Sequence, residues 1–253
     1  MDSIIAWIGG KRLLRKKLAT LIPKDIRGYI EPFGGAGWLL FLKEKWAKLE
    51  VYNDLDSRLT NLFLQVKYHP EALQKEFDCL IGSRDMFELF KANDGLTEIQ
   101  KAARFMYLIS RSFGSKGGTF ATAKTQGHCK LKNKVNRIEA LSKRLDGVII
   151  ENLSFEKLIA RYDTKDNFIY CDPPYMNGFK YDNSLNFDHQ KLHNTLKKIK
   201  GRFLLSYDDC PEARELYKNY NIIAVSRVKG INRKAGESYY KEIIISNYEV
   251  ENV

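Results

Sequence analysis

Short apolar runs bounded by polar residues alternate along this chain with stretches of helical periodicity, and the two textures are unevenly distributed. Residues 12–21 mix bases with leucines at helical spacing until Pro23 stops the run. The segment Gly28-Tyr29-Ile30-Glu31-Pro32-Phe33 reads as a short strand entering the glycine loop Gly34-Gly35-Ala36-Gly37. Residues 38–48 then predict a helix and 49–52 a second strand, which together make one βαβ unit of fitting length. Beyond residue 56 the texture changes. Residues 59–68, 71–77, 85–92 and 97–110 are periodic at helical spacing with no clear strand between them. A flexible basic loop, Gly114-Ser115-Lys116-Gly117-Gly118, and a polar segment to residue 133 follow, and 135–145 reads as another helix. Strand texture returns at 148–150 and recurs at 167–171, 203–207, 221–225 and 241–248. Only a short basic connection, 227–240, separates the last two, which predicts an antiparallel hairpin at one edge of the sheet. The economical reading is an α/β core built from both ends of the chain, 1–56 and 147–253, with a mostly helical insert at 57–146.

Composition narrows the class. A hydrophobic fraction of 44% and a charged fraction of 29% over 253 residues are ordinary for a soluble globular protein. No apolar stretch approaches the roughly 18 residues that would span a bilayer, and Met1-Asp2-Ser3-Ile4 has no basic lead, so neither a membrane segment nor a signal peptide is expected. Cys79, Cys129, Cys171 and Cys210 are widely separated and form no CxxC pair, which disfavours a zinc site and a disulfide framework. A reducing cytoplasm and no metal are the matching expectations. With no long exposed apolar stripe, the default is a monomer.

Charge changes the picture more. The 42 lysines and arginines exceed the 31 acids by a net +11, with a pI near 9.3. An excess of that size attracts polyanions. From residue 111 to 144 the bases are Arg111, Lys116, Lys124, Lys130, Lys132, Lys134, Arg137, Lys143 and Arg144, against Glu139 as the only acid. A solvated lysine-rich face would look the same; nucleic acid is the sharper reading, because each phosphate contact releases counterions.

The densest chemistry is at Asp172-Pro173-Pro174-Tyr175, which follows the buried-strand pattern Asn167-Phe168-Ile169-Tyr170-Cys171. The C-terminal ends of strands are where open α/β sheets bind ligands. Each proline lacks an N–H, so nearby carbonyls have fewer internal donors to occupy them. A carboxylate and a carbonyl beside a flat ring would grip a planar base bearing an exocyclic amino group. A proline-stiffened turn, with Asp172 as turn residue and Tyr175 as packing, is the plainer alternative. Upstream, Phe33-Gly34-Gly35-Ala36-Gly37 lies between strand and helix, where small side chains let a ligand approach the backbone. It is neither a dinucleotide fingerprint nor a phosphate loop. Asp54, at the end of the next strand, can accept hydrogen bonds from both hydroxyls of a ribose. Loop and acid together suggest a nucleoside cofactor; a tight turn and a surface acid would use the same residues.

These motifs resemble those of the Dam-like DNA adenine-N6 methyltransferases, which transfer a methyl group from S-adenosylmethionine. Trp7-Ile8-Gly9-Gly10-Lys11 is similar to the family's amino-terminal cofactor motif, Glu31-Pro32-Phe33-Gly34-Gly35-Ala36-Gly37 to its methionine-side loop, and Asn53-Asp54 to its ribose acid. Asp172-Pro173-Pro174-Tyr175 matches the catalytic tetrapeptide, and Glu242-Ile243-Ile244-Ile245-Ser246-Asn247-Tyr248 resembles the closing strand. The resemblance implies a Rossmann-like S-adenosylmethionine-dependent methyltransferase sheet with an antiparallel edge hairpin and an inserted, mostly helical target-recognition domain. It implies cofactor contacts from Trp7, Gly9, Gly10, Lys11, Pro32, Phe33, Gly34, Gly35, Ala36, Gly37, Asp54 and Asp172, with Phe155 beside the cofactor adenine. Ser154 stands where the family often has an acid. Asp172 and the Pro173 carbonyl would accept hydrogen bonds from the adenine amino group and free its lone pair, with Pro174 and Tyr175 completing the catalytic motif. The base must leave the stacked duplex to be reached, and Tyr175 would stack on it. Cys171 is read as strand packing, not as a nucleophile.

Double-stranded DNA is the implied partner, with Arg111, Lys116, Lys124, Lys130, Arg137, Lys229 and Arg233 as candidate contacts. The family's base-reading hairpin carries an asparagine and arginines; Arg111-Ser112-Phe113-Gly114-Ser115-Lys116-Gly117-Gly118-Thr119-Phe120 stands in its place, shorter and without the second arginine, so no target sequence is assigned. A methyltransferase acting on cytosine N4, RNA adenine or protein glutamine, and a non-catalytic DNA-binding protein of the same fold, are the competing functions. A bacterial, viral or plasmid-encoded enzyme, working alone or beside a restriction endonuclease, fits the resemblance.

Overall fold

The computed structural model describes residues 1–7, 9–121, 131–177, 187–228 and 239–250. In chain order its elements are α1 (Arg15–Leu21), β1 (Gly28–Glu31), β2 (Leu49–Asn53), α2 (Ser57–Tyr68), α3 (Pro70–Asp78), α4 (Arg84–Ala92), α5 (Glu98–Arg111), α6 (Leu131–Val135), α7 (Ile138–Arg144), β3 (Val148–Glu151), α8 (Phe155–Tyr162), β4 (Asn167–Cys171), α9 (His189–Leu196), β5 (Arg202–Asp208), α10 (Pro211–Leu216), β6 (Asn221–Val228) and β7 (Tyr239–Ser246). The strands form a seven-stranded sheet in the order β3-β2-β1-β4-β5-β7-β6. Strand β1 runs parallel to β2 and β4, and β4 parallel to β5; β7 is antiparallel to both β5 and β6. The expected edge hairpin is present, and its second strand is the one inserted next to β5.

The chain forms two compact units. One comprises Met1–Gly10, Gly35–Glu44 and Asp56–Ile150, and its helices are α2 to α7. Their starts follow local rules. Asp56 caps α2 by accepting from Arg58 N, Ser83 caps α4, Pro70 opens α3, and Thr97 with Gln100 forms a capping box at α5. Leu59, Leu62, Phe63 and Val66 of α2 are buried, as are Met106 of α5 and Ile138 and Leu141 of α7, which is the spacing expected of helices sharing one core.

The other unit comprises Lys11–Gly34, Lys45–Leu55 and Glu151–Val253. Its apolar core joins Leu158 and Ile159 of α8, Leu192 and Leu196 of α9 and Ala213 of α10 to alternate residues of the strands: Ile30, Val51, Ile169, Cys171, Phe203, Leu205, Ile243 and Ile245. Alternation puts these on one sheet face. The intervening positions carry buried polar groups as well: the Tyr29 hydroxyl donates to Glu31, Tyr170 and Ser206 share a hydrogen bond of 3.0 Å, and Glu242 is buried. Strand β4 is buried along its whole length, as a central parallel strand should be.

Several expected elements differ. The helix expected at 38–48 is a single 3-10 turn, Leu40–Leu42. Its carbonyls are claimed by distant donors: Arg144 takes those of Leu40 and Lys43, and the Met1 ammonium takes that of Phe41. The helix expected at 135–145 starts later, as α7 (Ile138–Arg144), and α6 (Leu131–Val135) lies largely within the preceding segment, for which only polar chain was expected. Arg137 N turns back to Lys134 O, three residues away, and the Gln74 side chain donates to the Val135 carbonyl. Helix α1 starts at Arg15 and not at residue 12, because the N–H groups of Leu14 and Arg15 both close on the Lys11 carbonyl. Strand β1 stops before Pro32, whose missing N–H cannot extend the ladder. Helices α8, α9 and α10 were not expected.

Candidate active site

The strand order reverses between β1 and β4, the two central parallel strands that lead to different sides of the sheet. At such a switch point the loops leaving the strand ends diverge and open a crevice. The loop leaving β1 is Pro32-Phe33-Gly34, and the loop leaving β4 is Asp172-Pro173-Pro174-Tyr175. The sheet topology therefore brings two of the sequence motifs to one place.

Around β4 the side chains converge tightly. Lys11 Nζ lies 2.5 Å from Asp172 Oδ1 and 4.8 Å from the centroid of the Tyr175 ring. Lys11 is buried at 3% side-chain exposure and Asp172 keeps 17%, so the ammonium is held by the carboxylate and the ring face instead of by water. Tyr175 donates its hydroxyl to Glu242 Oε2 at 3.0 Å and stacks on Tyr207, with centroids 5.9 Å apart and planes 15° from parallel. Burial, with Asp172 and Glu242 nearby, pushes the Tyr175 phenol well up, so it stays a donor. The turn after it is fixed by Asp208, whose Oδ1 accepts from Met176 N at 3.1 Å and Oδ2 from Asn177 N at 2.9 Å. Tyr207 in turn hydrogen-bonds His189, whose pKa burial lowers, keeping the imidazole neutral near pH 7. Pro173 is buried and Pro174 half-buried. Cys171 is fully buried, and burial followed by the Asp172 charge raises its thiol pKa. It is packing, as expected, and no thiolate nucleophile.

A second group lies where β2 ends. Buried Asn53 donates to the carbonyls of Pro32, at 2.8 Å, and Leu153, at 3.0 Å, and accepts from Leu153 N at 2.8 Å. Asn152 donates to the carbonyls of Asp54 and Leu55. These bonds fasten residues 152–155 to 53–55, so half-buried Asp54 and Phe155 sit on adjoining segments. Phe33 and Phe155 rings lie 5.6 Å apart, and Phe187 packs within 5.7 Å of both. A half-buried carboxylate on a segment adjoining half-buried aromatic rings fits a nucleoside. Gly34 is required by packing: a Cβ there would fall 2.3 Å from the Tyr52 ring.

The other unit holds a third group. Gly35 (φ +50°) and Gly37 (φ +66°) have left-handed backbones, as does Gly9 (φ +76°). The Trp7 indole lies against Gly35, 3.1 Å from where a Cβ would stand, and the Trp38 ring covers Gly10 at 2.8 Å. Ala36 is buried. In the same unit, Arg111 ends α5 with its guanidinium 6.0 Å from the Tyr107 ring centroid; its Nε is buried and has no hydrogen-bond partner among the described residues. The expected DNA-reading segment closes as a small hairpin: Phe113 N donates to Thr119 O, and Ala121 N to Arg111 O. Phe113 and Lys116 are exposed at its tip. Arg137 reaches Asp2 at 3.9 Å. Lys124, Lys130, Lys229 and Arg233 lie outside the described residues, as does Ile8.

Sequence reasoning missed Asp208, Tyr207, Asn152 and Phe187. Asp208 was findable, since it ends a strand as Asp54 and Asp172 follow theirs. Glu242 was seen only as part of a closing strand, although an acid inside an apolar run is itself a signal. Among the described residues no three or more His, Cys, Asp or Glu side chains are grouped to hold a metal ion, and no helix is long and apolar enough to cross a membrane.

The model of D12 class N6 adenine-specific DNA methyltransferases matches residues 7–231. The chain is 31% identical to the type II methyltransferase M1.LlaDCHI of Lactococcus lactis subsp. cremoris, over 96% of this chain and 94% of the relative. It is 27% identical to the type II methyltransferase M.CviBI of Paramecium bursaria Chlorella virus NC1A, over 87% and 88% respectively. A DNA adenine methylase of Vibrio cholerae serotype O1 (strain ATCC 39541 / Classical Ogawa 395 / O395) is 23% identical, over 96% of this chain and 94% of the relative.

Proposed function

The chain belongs to the D12 class N6 adenine-specific DNA methyltransferase family, and on that premise we propose that Asp172, Pro173, Pro174 and Tyr175 are its catalytic residues, acting on an adenine flipped out of double-stranded DNA. One observation carries this reading: the tetrapeptide leaves β4 at the switch point with its carboxylate and ring already fixed by Lys11, Glu242 and Asp208. S-adenosylmethionine, when bound, supplies the electrophilic methyl group. The chain's own residues do the rest by position. Asp172 and the Pro173 carbonyl accept hydrogen bonds from the adenine amino group and draw its nitrogen towards a tetrahedral shape, which localises the lone pair. A carboxylate oxygen has capacity for more than one donor, so its bond from Lys11 does not exhaust it. Asp172 is also the group placed to take the proton that the nitrogen sheds. Tyr175 offers the stacking face, and burial around β4 limits water.

For the cofactor, Asp54 holds the ribose hydroxyls, Phe155 packs beside the adenine ring, and Trp7, Gly9, Gly10, Lys11, Pro32, Phe33, Gly34, Gly35, Ala36, Gly37 and Asp172 are the remaining contacts. The local bonding supports this: Asn53 and Asn152 fasten the segments that carry Asp54 and Phe155 to one another. The helical insert, 57–146, is the target-recognition part, with Arg111, Lys116 and Arg137 as DNA contacts. Two relatives named type II methyltransferases support a role beside a restriction endonuclease, and a monomer acting in the cytoplasm is the simplest form.

The test is product identity. Purified protein incubated with unmethylated DNA and S-adenosylmethionine should yield N6-methyladenine by mass spectrometry of digested nucleosides, and Asp172→Ala should yield none while still binding DNA. Retained transfer in that variant would sink the catalytic assignment.

A further inference from the structure

Two carboxylates in the sheet stand directly opposite one another: Asp208, which ends β5, and Glu242, in β7. Like charges placed so on antiparallel strands are destabilising, and Glu242 is only 1% exposed, so sheet stability does not account for them. Both act on the same short segment. Glu242 accepts the Tyr175 hydroxyl, Asp208 accepts the two backbone N–H groups that follow Tyr175, and the Tyr207 ring beside Asp208 lies flat against the Tyr175 ring. The ring of Tyr175 is thereby held at its hydroxyl, alongside the Tyr207 ring and through the backbone behind it, with the Lys11 ammonium also over the ring.

We propose that Asp208 and Glu242 are a positioning pair for the target base: together they set the plane of the Tyr175 ring, so that the stacking surface is in place before a base arrives. The proposal rests on the reading of Tyr175 as that surface. A ring fixed in advance loses little entropy when a planar base meets it, whereas a ring free to turn must be ordered at each encounter. The pair acts on base capture and turnover and leaves cofactor binding alone. The Tyr175 hydroxyl has no other assigned task, since Asp172 and the Pro173 carbonyl supply the acceptors that the amino group needs.

The test is a mutant cycle on the full chain, using unmethylated phage DNA and S-adenosylmethionine. Glu242→Ala should lower kcat/KM for DNA by about tenfold, with cofactor affinity by calorimetry unchanged within about twofold. Glu242→Gln keeps an acceptor and should recover most of the loss. Because Glu242 works through the Tyr175 hydroxyl, Glu242→Ala combined with Tyr175→Phe should be no worse than either alone by more than about twofold. Asp208→Asn, which keeps one accepting oxygen, should fall between wild type and Asp208→Ala. Multiplying losses in the double variant would overturn the proposal, as would wild-type kcat/KM in Glu242→Ala. If Glu242→Ala does not fold, Tyr175→Phe decides: wild-type kcat/KM there overturns it equally. Tyr175→Ala separates the two levels. Full activity in that variant removes the stacking reading itself, while a large loss beside an unaffected Glu242→Ala removes only the positioning pair.

Discussion

Gly34 and Gly9 are the same residue for different reasons, and the difference is measurable. A Cβ at Gly34 would fall 2.3 Å from Tyr52 Cε2 and 2.9 Å from the Asn53 carbonyl oxygen, and the Gly34 N–H already donates to that carbonyl at 2.7 Å. Neither neighbour is the free end of a flexible chain: Tyr52 is fully buried, and Asn53 is held by Pro32 and Leu153. Gly9 has φ +76° and nothing within 4 Å of its missing Cβ. Gly34→Ala should therefore cost about 1–3 kcal/mol through overpacking, whereas Gly9→Ala should cost only the left-handed strain of about 1 kcal/mol. Thermal unfolding of both variants would check this, and equal losses would contradict it. Legibility divides along the same line. Small residues at 34 were readable as a need for close approach, but the sequence suggested a ligand and the structure supplies Tyr52. The Asp172-Pro173-Pro174-Tyr175 motif was readable because its members are adjacent. The pairing of Lys11 with Asp172 spans 161 positions and leaves no local trace.

Periodicity is a local signal, and where it misled, the reason was a competitor from far along the chain. Residues 38–44 have a helix-compatible pattern, yet the Leu40 and Lys43 carbonyls accept from Arg144 at 2.8 and 2.7 Å, and the Phe41 carbonyl from the Met1 ammonium at 2.6 Å. A helix would have spent those carbonyls on amides four residues ahead. The converse error, at residues 155–162, had a readable pattern: Phe155, Leu158, Ile159 and Tyr162 fall at i, i+3, i+4 and i+7, the stripe of an amphipathic helix. Strands were read better than helices, because each central strand is an uninterrupted buried run whose ends are marked by proline, glycine or acid. Arg144 thus takes two carbonyls of this segment that a helix would have used. Arg144→Met preserves much of the buried volume but strands two carbonyls, at about 1–3 kcal/mol each. The unfolding midpoint should drop by roughly 10 °C on the usual scaling for a chain of this size. Arg161→Met removes only an exposed pair with Glu151 and should shift stability by less than about 1 kcal/mol. If the two variants unfold alike, Arg144 is not what holds residues 38–44 out of a helix.

At the scale of the whole molecule the excess of +11 is the property most directly tied to DNA, and the basic stretch from 111 to 144 does not contribute to it evenly. Arg144 is buried on backbone carbonyls, Lys143 pairs with Glu139, Lys134 donates to Ser110, and Arg137 approaches Asp2. Part of what composition offered as a polyanion surface is thus tied to the protein itself, which no count of charges could reveal. The remaining excess still predicts a strong ionic dependence. If about six phosphates are neutralised on binding, affinity for duplex DNA should fall about a thousandfold between roughly 50 and 200 mM salt, with log K linear in log salt. Cofactor affinity should move by less than about threefold over the same range, because the charges proposed for that site are local and Lys11 is shielded from solvent. Fluorescence anisotropy with a labelled duplex gives the first slope and calorimetry the second. The slope also counts the contacts, since each phosphate lost to a Lys→Ala or Arg→Ala change lowers it by about one. Lys116→Ala, at the exposed hairpin tip, should reduce the slope, and Lys143→Ala, already paired within its own helix, should leave it closer to wild type. A flat salt plot would mean that the net charge is a solvated face, and that DNA is held by base and shape contacts instead.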